Sequence, residues 1–443
     1  MDNITKEAVA FFKQEKGLHR LLNGLIEKYR SLGRIGGTVR LANLADAERE
    51  ALSTFFRKDY TGQSSASIPA AGFEKALAET RFAGVSVLAL LEGFVGTRLE
   101  TKLEARDRYE SEKAAFFREI TETESHPFCR MWLEQVMNKG TGTRGVHAAY
   151  DKNRARLKEG MEVVCRALAS LPGQGDFERF PVFAERVAGD PHGLDPDTDP
   201  GNMFLGALQA VREQADKGYR PKKTLSSEAV TELLHHFGLI RDDLLNFVTC
   251  TGLLGFTDHT HSGHPVWREA ARTGSVLNVP LREVIKLAAC RPSCGGSAVF
   301  VVENSGVFSA ILDRLGEQRV PPLICTHGQF KLAALLLIDC LAATGVDVYY
   351  SGDLDPEGLQ MAQRLKRRHP SRVMLWHFDV EDYRPPDAAK RLPSHRLNKL
   401  KAVSEEELAP LKTALMAAGS PVYQEAFLAD LAGDIDRYLQ ERT

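Results

Sequence analysis

The sequence has no apolar run long enough to cross a bilayer, which excludes a helical membrane span. Its opening stretch, MDNITKEAVAFFKQEKG, lacks an apolar core between positive charge and a small-residue cleavage site, so it reads as an amphipathic helix and not a secretory leader. Cysteine is scarce and odd in number. The seven (Cys129, Cys165, Cys250, Cys290, Cys294, Cys325 and Cys340) are scattered over 443 residues, which excludes a disulfide framework and fits reduced thiols in a cytoplasmic protein. Only Cys290 and Cys294 lie close together, and one pair cannot supply the four ligands of a structural zinc. Excess charge of one sign is also missing. With a formal net charge of -2, any affinity for nucleic acid has to come from local basic patches. What remains is a globular composition, 43% hydrophobic and 26% charged, on a chain too long for one ordinary core.

Three regions follow from changes in pattern. Residues 1–170 read as a mostly helical arm broken by a glycine turn at Gly33, Gly36 and Gly37. A short strand, Thr38 to Leu41, follows the turn, and Asp46, Glu48 and Glu50 then open a helix. Helix, turn, strand and helix in that order fit part of a winged-helix unit. The stretch VSVLALLEGFVGTRLETKLEARDRYESEKAAFFREI carries apolar residues at helical spacing.

Residues 171–295 read as a helical connector with a DNA-binding or cap role. This region opens rich in Pro, Gly and Asp, and GDPHGLDPDTDP places Asp190, His192, Asp195, Asp197 and Asp199 together. Turn and cap chemistry explains that cluster better than a metal or phosphate site. The stretch LSSEAVTELLHHFGLIRDDLLNFVTCTGLL reads as helical. His259, His261 and His264 lack standard zinc spacing and read as a polar loop.

From residue 296 to 443 the pattern alternates. AVFVV, PPLIC, VDVYY and RVMLW are short apolar strand candidates, separated by helical segments of ten to fifteen residues. Such alternation predicts an α/β domain, a parallel sheet with helices on both faces. Ligands of these sheets sit at the carboxyl ends of the strands. There the first strand delivers Glu303 and Asn304, the second Thr326, His327 and Gly328, and the third Asp353, Asp355 and Glu357. Carboxylates gathered on one rim repel one another unless a cation intervenes, and hard oxygen ligands select Mg²⁺ or Mn²⁺. The helix after the third strand carries Arg364, Lys366, Arg367 and Arg368, which read either as a track for a phosphate backbone or as a solvated face.

A Glu closing the first strand, a Gly-bearing turn after the second and GDLDPEG after the third resemble a Toprim domain, the metal-binding fold of topoisomerases, primases and some nucleases. The Pro and Gly of that motif resemble the topoisomerase VI A version. VVENSGVFSAIL, LICTHGQFKLAALLLIDCLAATG and YYSGDLDPEGLQMA, with AERVAGDPHGLD and GLIRDDLLNFV upstream, resemble the topoisomerase-VI-A-like nucleases of Wadjet plasmid-defence operons, encoded beside condensin-like SMC ATPases. The resemblance implies metal-dependent cleavage of closed circular double-stranded DNA, with Glu303, Asp353 and Asp355 as catalytic metal ligands and Glu357 as a further one. It implies His327, Lys331, Arg364, Arg367 and Arg368 as DNA contacts. An SMC ATPase complex is the expected partner, and cutting both strands calls for a C2 homodimer. A topoisomerase VI relative would cut with a tyrosine of a separate domain. Tyr349 and Tyr350 lie in a strand of a covered sheet, and Tyr60 and Tyr150 have unremarkable contexts, so hydrolysis is expected over transesterification. A covalent tyrosine intermediate and a non-catalytic DNA-binding adaptor are the alternatives.

Overall fold

A computed structural model describes residues 2–257, 263–385 and 390–442. The chain forms two compact units, one of residues 1–125 with 136–139, the other of residues 126–135 with 140–443. Among the described residues no helix is long and apolar enough to cross a membrane. Five of the seven cysteines are buried.

The first unit is mostly helical: α1 (Asn3–Gln14), α2 (His19–Leu32), β1 (Thr38–Ala42), α3 (Asp46–Phe56), β2 (Ser65–Pro69), α4 (Ala70–Ala78), α5 (Val87–Val95) and α6 (Lys102–Thr123). Asp2 caps α1 by accepting from the Thr5 N–H, and Glu48 reaches back to the Ala45 N–H to open α3. The long amphipathic stretch is two helices. Gly96, at φ 84°, ends α5, and a Thr101–Glu104 capping box starts α6. Strands β1 and β2 pair antiparallel around a core that includes Phe12, Leu22, Leu52 and Phe73. Strand, helix and strand are in place, but β2 leads directly into α4 with no wing hairpin, so the winged-helix expectation is met only in part.

The second unit begins with helices α7 (Pro127–Met137), whose last two residues fall in the first unit, α8 (Arg144–Lys152) and α9 (Arg154–Ala169). It continues with β3 (Glu178–Arg179), α10 (Phe180–Ala188), α11 (Asp199–Ala215), α12 (Ser227–His236), β4 (Leu239–Ile240), β5 (Phe247–Thr251), β6 (Leu253–Phe256), α13 (Pro265–Thr273), β7 (Leu277–Pro280), α14 (Leu281–Val284) and β8 (Ala289–Pro292). The alternating part follows as β9 (Ala298–Val302), α15 (Ser305–Leu315), β10 (Leu323–Cys325), α16 (Leu332–Ala343), β11 (Asp347–Tyr350), α17 (Pro356–Arg368) and β12 (Val373–Leu375). Helices α18 (Ser394–Leu397), α19 (Ala409–Ala418) and α20 (Leu428–Gln440) complete it.

The main sheet has six strands in the order β12-β11-β9-β10-β5-β7. The four strands expected from the sequence are parallel, but β5 and β7 add antiparallel pairings, so the sheet is mixed and starts well before residue 296. FVTCT, expected to be helical, is β5 because its β-branched Val and Thr residues suit a buried strand next to Leu323–Cys325. Every residue of the central β9 is buried. The chain steps from β9 to β10 on one side and then returns across β9 to β11. Right-handed crossovers therefore put α15 on one face and α16 and α17 on the other. Between β9 and β11 the connecting loops part in opposite directions, which opens a crevice at the strand ends.

Candidate metal centre

Glu303 follows β9 into that crevice, and the turn after β11 supplies Asp353, Asp355 and Glu357. The glycines of SGDLDPEG have steric causes. A Cβ on Gly358 would lie 2.0 Å from the Asp353 carbonyl oxygen, and one on Gly352 would lie 2.9 Å from Glu303 Oε2 and 3.0 Å from the Tyr350 hydroxyl. The turn is also pinned from outside. Leu354 forms an antiparallel bridge with Val422, and the Gln424 N–H donates to Asp353 Oδ1 at 3.0 Å. The Gln424 side-chain oxygen accepts from the backbone N–H groups of Glu303 and Asn304, both at 3.3 Å. Gln424 thus joins the ends of β9 and β11, although nothing in SPVYQEAF marks it from sequence.

The four carboxylates divide into two pairs. Asp355 caps α17, its Oδ1 accepting from the Gly358 N–H at 2.7 Å while its Oδ2 accepts from Arg396 Nη2 at 2.6 Å. Glu357 accepts from Arg396 Nη2 and from Lys399 Nζ, each at 2.7 Å. Burial opposes ionisation of Glu357, but these two cations prevail and hold its carboxyl at about 2. Burial raises Asp355 against the pull of Gly358 and Arg396.

Glu303 and Asp353 have no such cation to themselves. Burial, then the charge of Asp353, pushes the Glu303 carboxyl up to about 7. Burial, with Asp355 and Glu425 adding to it, pushes Asp353 up to about 6. Glu303 Oε2 is buried without a hydrogen-bond partner, as are the Tyr350 hydroxyl and Gln424 Nε2, and both Tyr350 and Gln424 are fully buried. Orphaned polar atoms beside uncompensated carboxylates are costly unless a ligand satisfies them. A hard divalent cation on Glu303 and Asp353 fits this arrangement. Both oxygens of Glu357 already accept from Arg396 or Lys399, so Glu303 and Asp353 are the more open carboxylates.

The expected DNA contacts divide as well. His327, at φ 57°, turns towards β5 and β7, where its Nε2 meets the Thr249 hydroxyl, which also donates to Asn278. Burial, with Lys331 adding to it, lowers its pKa. Lys331 Nζ lies over the Phe247 ring, 4.2 Å from its centroid, and forms no ion pair among the described residues. Both remain on the strand-end rim. The basic run of α17 does not. Nine to thirteen residues beyond Asp355 amount to roughly 14–20 Å along a helix, so the run ends near the opposite edge of the sheet. There Arg364 pairs with Glu232, Arg368 with Asp339 and Glu232, Lys366 with Glu407, and Arg367 with Ser404 and Glu405. These side chains fasten α17 to its neighbours, the structural alternative to a DNA track for Arg364, Arg367 and Arg368.

In the Asp-rich stretch Asp190 accepts from the His192 N–H, His192 pairs with Asp195, and Thr198 caps α11, as turn chemistry predicts. His264 caps α13, while His259 and His261 lie outside the described residues.

Residues 35–255 match the family model described as "Protein of unknown function N-terminus (DUF3323)", and residues 277–435 match "Protein of unknown function C-terminus (DUF2399)". No curated protein matches the chain. The second match runs from β7 into α20 and contains Glu303, Asp353, Asp355, Arg396 and Gln424. The chain therefore carries the DUF3323–DUF2399 domain pair, with the whole carboxylate centre in its DUF2399 part.

Proposed function

We propose that this chain is a Toprim-type, metal-dependent DNA endonuclease, the JetD-type nuclease subunit of a Wadjet plasmid-defence system. The observation that carries the reading is the uncompensated Glu303–Asp353 pair, with the orphaned Glu303 Oε2, in the crevice between the β9 and β11 ends. Mg²⁺ or Mn²⁺ held there would offset phosphate charge and activate a water for phosphodiester hydrolysis. The protein's own groups prepare the site. Burial favours the protonated form of Glu303, and a cation bound there would favour its carboxylate. Gln424 fixes the spacing of the two strand ends, and Asp355, locked by Gly358 and Arg396, fixes the turn between them. Lys331 offers a cation to the phosphate backbone from the same rim.

Burial favours hydrolysis over a tyrosine intermediate. Tyr350 lies beside the carboxylates, but it is fully buried, and that burial, with Glu303 next, raises its hydroxyl pKa well above the ordinary value, which leaves Tyr423, next to Gln424, as the exposed tyrosine of this rim. Tyr60 and Tyr150 are also buried. Closed circular duplex DNA is the proposed substrate, an SMC ATPase complex the proposed partner, and a C2 homodimer the arrangement that cuts both strands.

The test is plasmid nicking by the purified chain. Cleavage is expected in Mn²⁺ or Mg²⁺ and not in EDTA, with Glu303→Gln and Asp353→Asn inactive and no covalent adduct trapped. Cleavage at the native rate by both variants would refute the assignment. A protein–DNA adduct would replace it with transesterification, and binding without cleavage would leave an adaptor.

A further inference from the structure

We infer that this centre takes one divalent cation, between Glu303 and Asp353, and that the Arg396 guanidinium holds the place of a second. The inference rests on the metal-dependent reading above and specifies its metal content. Four carboxylates meet two fixed cations, Arg396 and Lys399, at the strand ends. That leaves Glu303 and Asp353 unmatched, two carboxylates that one divalent cation would neutralise, while Glu425, which also acts on Asp353, accepts from Asn304 Nδ2. The remaining charge is also localised. Asp355 and Glu357 each bond directly to Arg396, whereas Glu303 bonds to neither cation and keeps a buried oxygen without a partner. The fully buried Tyr350 hydroxyl, near the same Gly352 position, has no partner either.

Arg396 is built into this position. Its segment is tied along α17, with Gln360 Nε2 donating to the Lys399 carbonyl at 2.8 Å and Gln363 Nε2 to the Ala402 carbonyl at 3.0 Å. Gln363 Oε1 accepts from the Ser404 and Glu405 N–H groups, and Leu400 is fully buried beneath. The side chain reaches Asp355, itself 6% exposed, from this anchored backbone. Two-ion sites place their cations about 4 Å apart and share a carboxylate between them. Here Asp355 is the carboxylate next to the ion pair, and its far oxygen is already engaged by a guanidinium that stays charged at any working pH.

The test counts ions. Mn²⁺ bound per chain is measured on metal-stripped full-length protein by titration with electron paramagnetic resonance detection of free Mn²⁺. One ion is expected for the native chain, one for Arg396→Lys, none for Glu303→Gln, and a second, weaker ion for Arg396→Ala. Two ions in the native chain would overturn the inference while leaving the metal-dependent reading intact. A single ion in folded Arg396→Ala would do the same, by showing that the guanidinium excludes nothing. No ion in the native chain would refute both. If Arg396→Ala does not fold, the native and Arg396→Lys counts still decide the matter.

Discussion

Replacing Glu303 by Gln should stabilise the metal-free protein at alkaline pH and leave it nearly unchanged in acid. The native carboxyl sits at about 7 against an ordinary 4.5. The folded state therefore prefers the protonated form. Stability from that preference is complete below about pH 4.5 and is lost as pH rises through 7. Ionisation against this environment corresponds to roughly 3 kcal/mol at ~1.36 kcal/mol per tenfold change in proton affinity. The side chain is only half-buried, so solvent screening reduces the expected effect to about 1–2 kcal/mol. Gln keeps the shape, cannot ionise, and removes the penalty. Thermal unfolding in EDTA at pH 5 and pH 8 measures it. The variant should gain roughly 2–5 °C over the native chain at pH 8 and close to nothing at pH 5. Mn²⁺ should reverse the order at pH 8, because only the native centre binds it. An equal difference at both pH values, or a variant less stable at pH 8 in EDTA, would refute the account of an uncompensated carboxylate pair.

Arg368→Ala should cost about 1–3 kcal/mol in urea unfolding, since it leaves Asp339 and Glu232 without their shared partner. Arg367→Ala should leave the salt dependence of DNA affinity unchanged, whereas Lys331→Ala should lower the slope of log K against log salt by about 0.9. A reduced slope for Arg367→Ala would put the basic run back on the DNA path. Tyr350→Phe removes a buried hydroxyl with no partner, so the metal-free protein should gain about 1–3 kcal/mol of stability, and plasmid cleavage should persist. Loss of cleavage in that folded variant would reopen the tyrosine route.

The alternating strands and helices of the last third were legible because each element had a local signal. AVFVV is apolar throughout, since β9 is covered on both faces, and α17 carries its apolar residues Leu359, Ala362 and Leu365 on one stripe. Strand β5 was not legible. FVTCT follows a turn-forming Asp242–Asp243 pair and reads as a continuation of the preceding helix. Only pairing with Cys325, Ile324 and Leu323, more than seventy residues later, selects a strand. The mixed sheet could not be read for the same reason, because the direction of an added edge strand is a property of its partner.

The site shows the same division between local and distant causes. GDLDPEG announces itself, because three carboxylates and two closely approached glycines stand within seven residues. What clamps Asp355 and Glu357 and leaves Asp353 without a cation of its own comes from Arg396, Lys399 and Gln424, some forty to seventy residues further along. LPSHRLNKLK and SPVYQEAF carry no pattern that distinguishes those residues from an ordinary solvated surface. The basic run of α17 was conspicuous and led the other way, since its distance from the carboxylates follows from helix polarity and not from sequence proximity. A helix that leaves the carboxyl end of a parallel strand runs back along the sheet, so charge in the last turn of α17 lies roughly 14–20 Å from the turn at its start. In that last turn the arginines also complement the helix dipole and meet Asp339, Glu232 and Glu405. Charge near this turn in sequence is engaged in ion pairs along α17, and the cations that meet its carboxylates arrive from a distant segment.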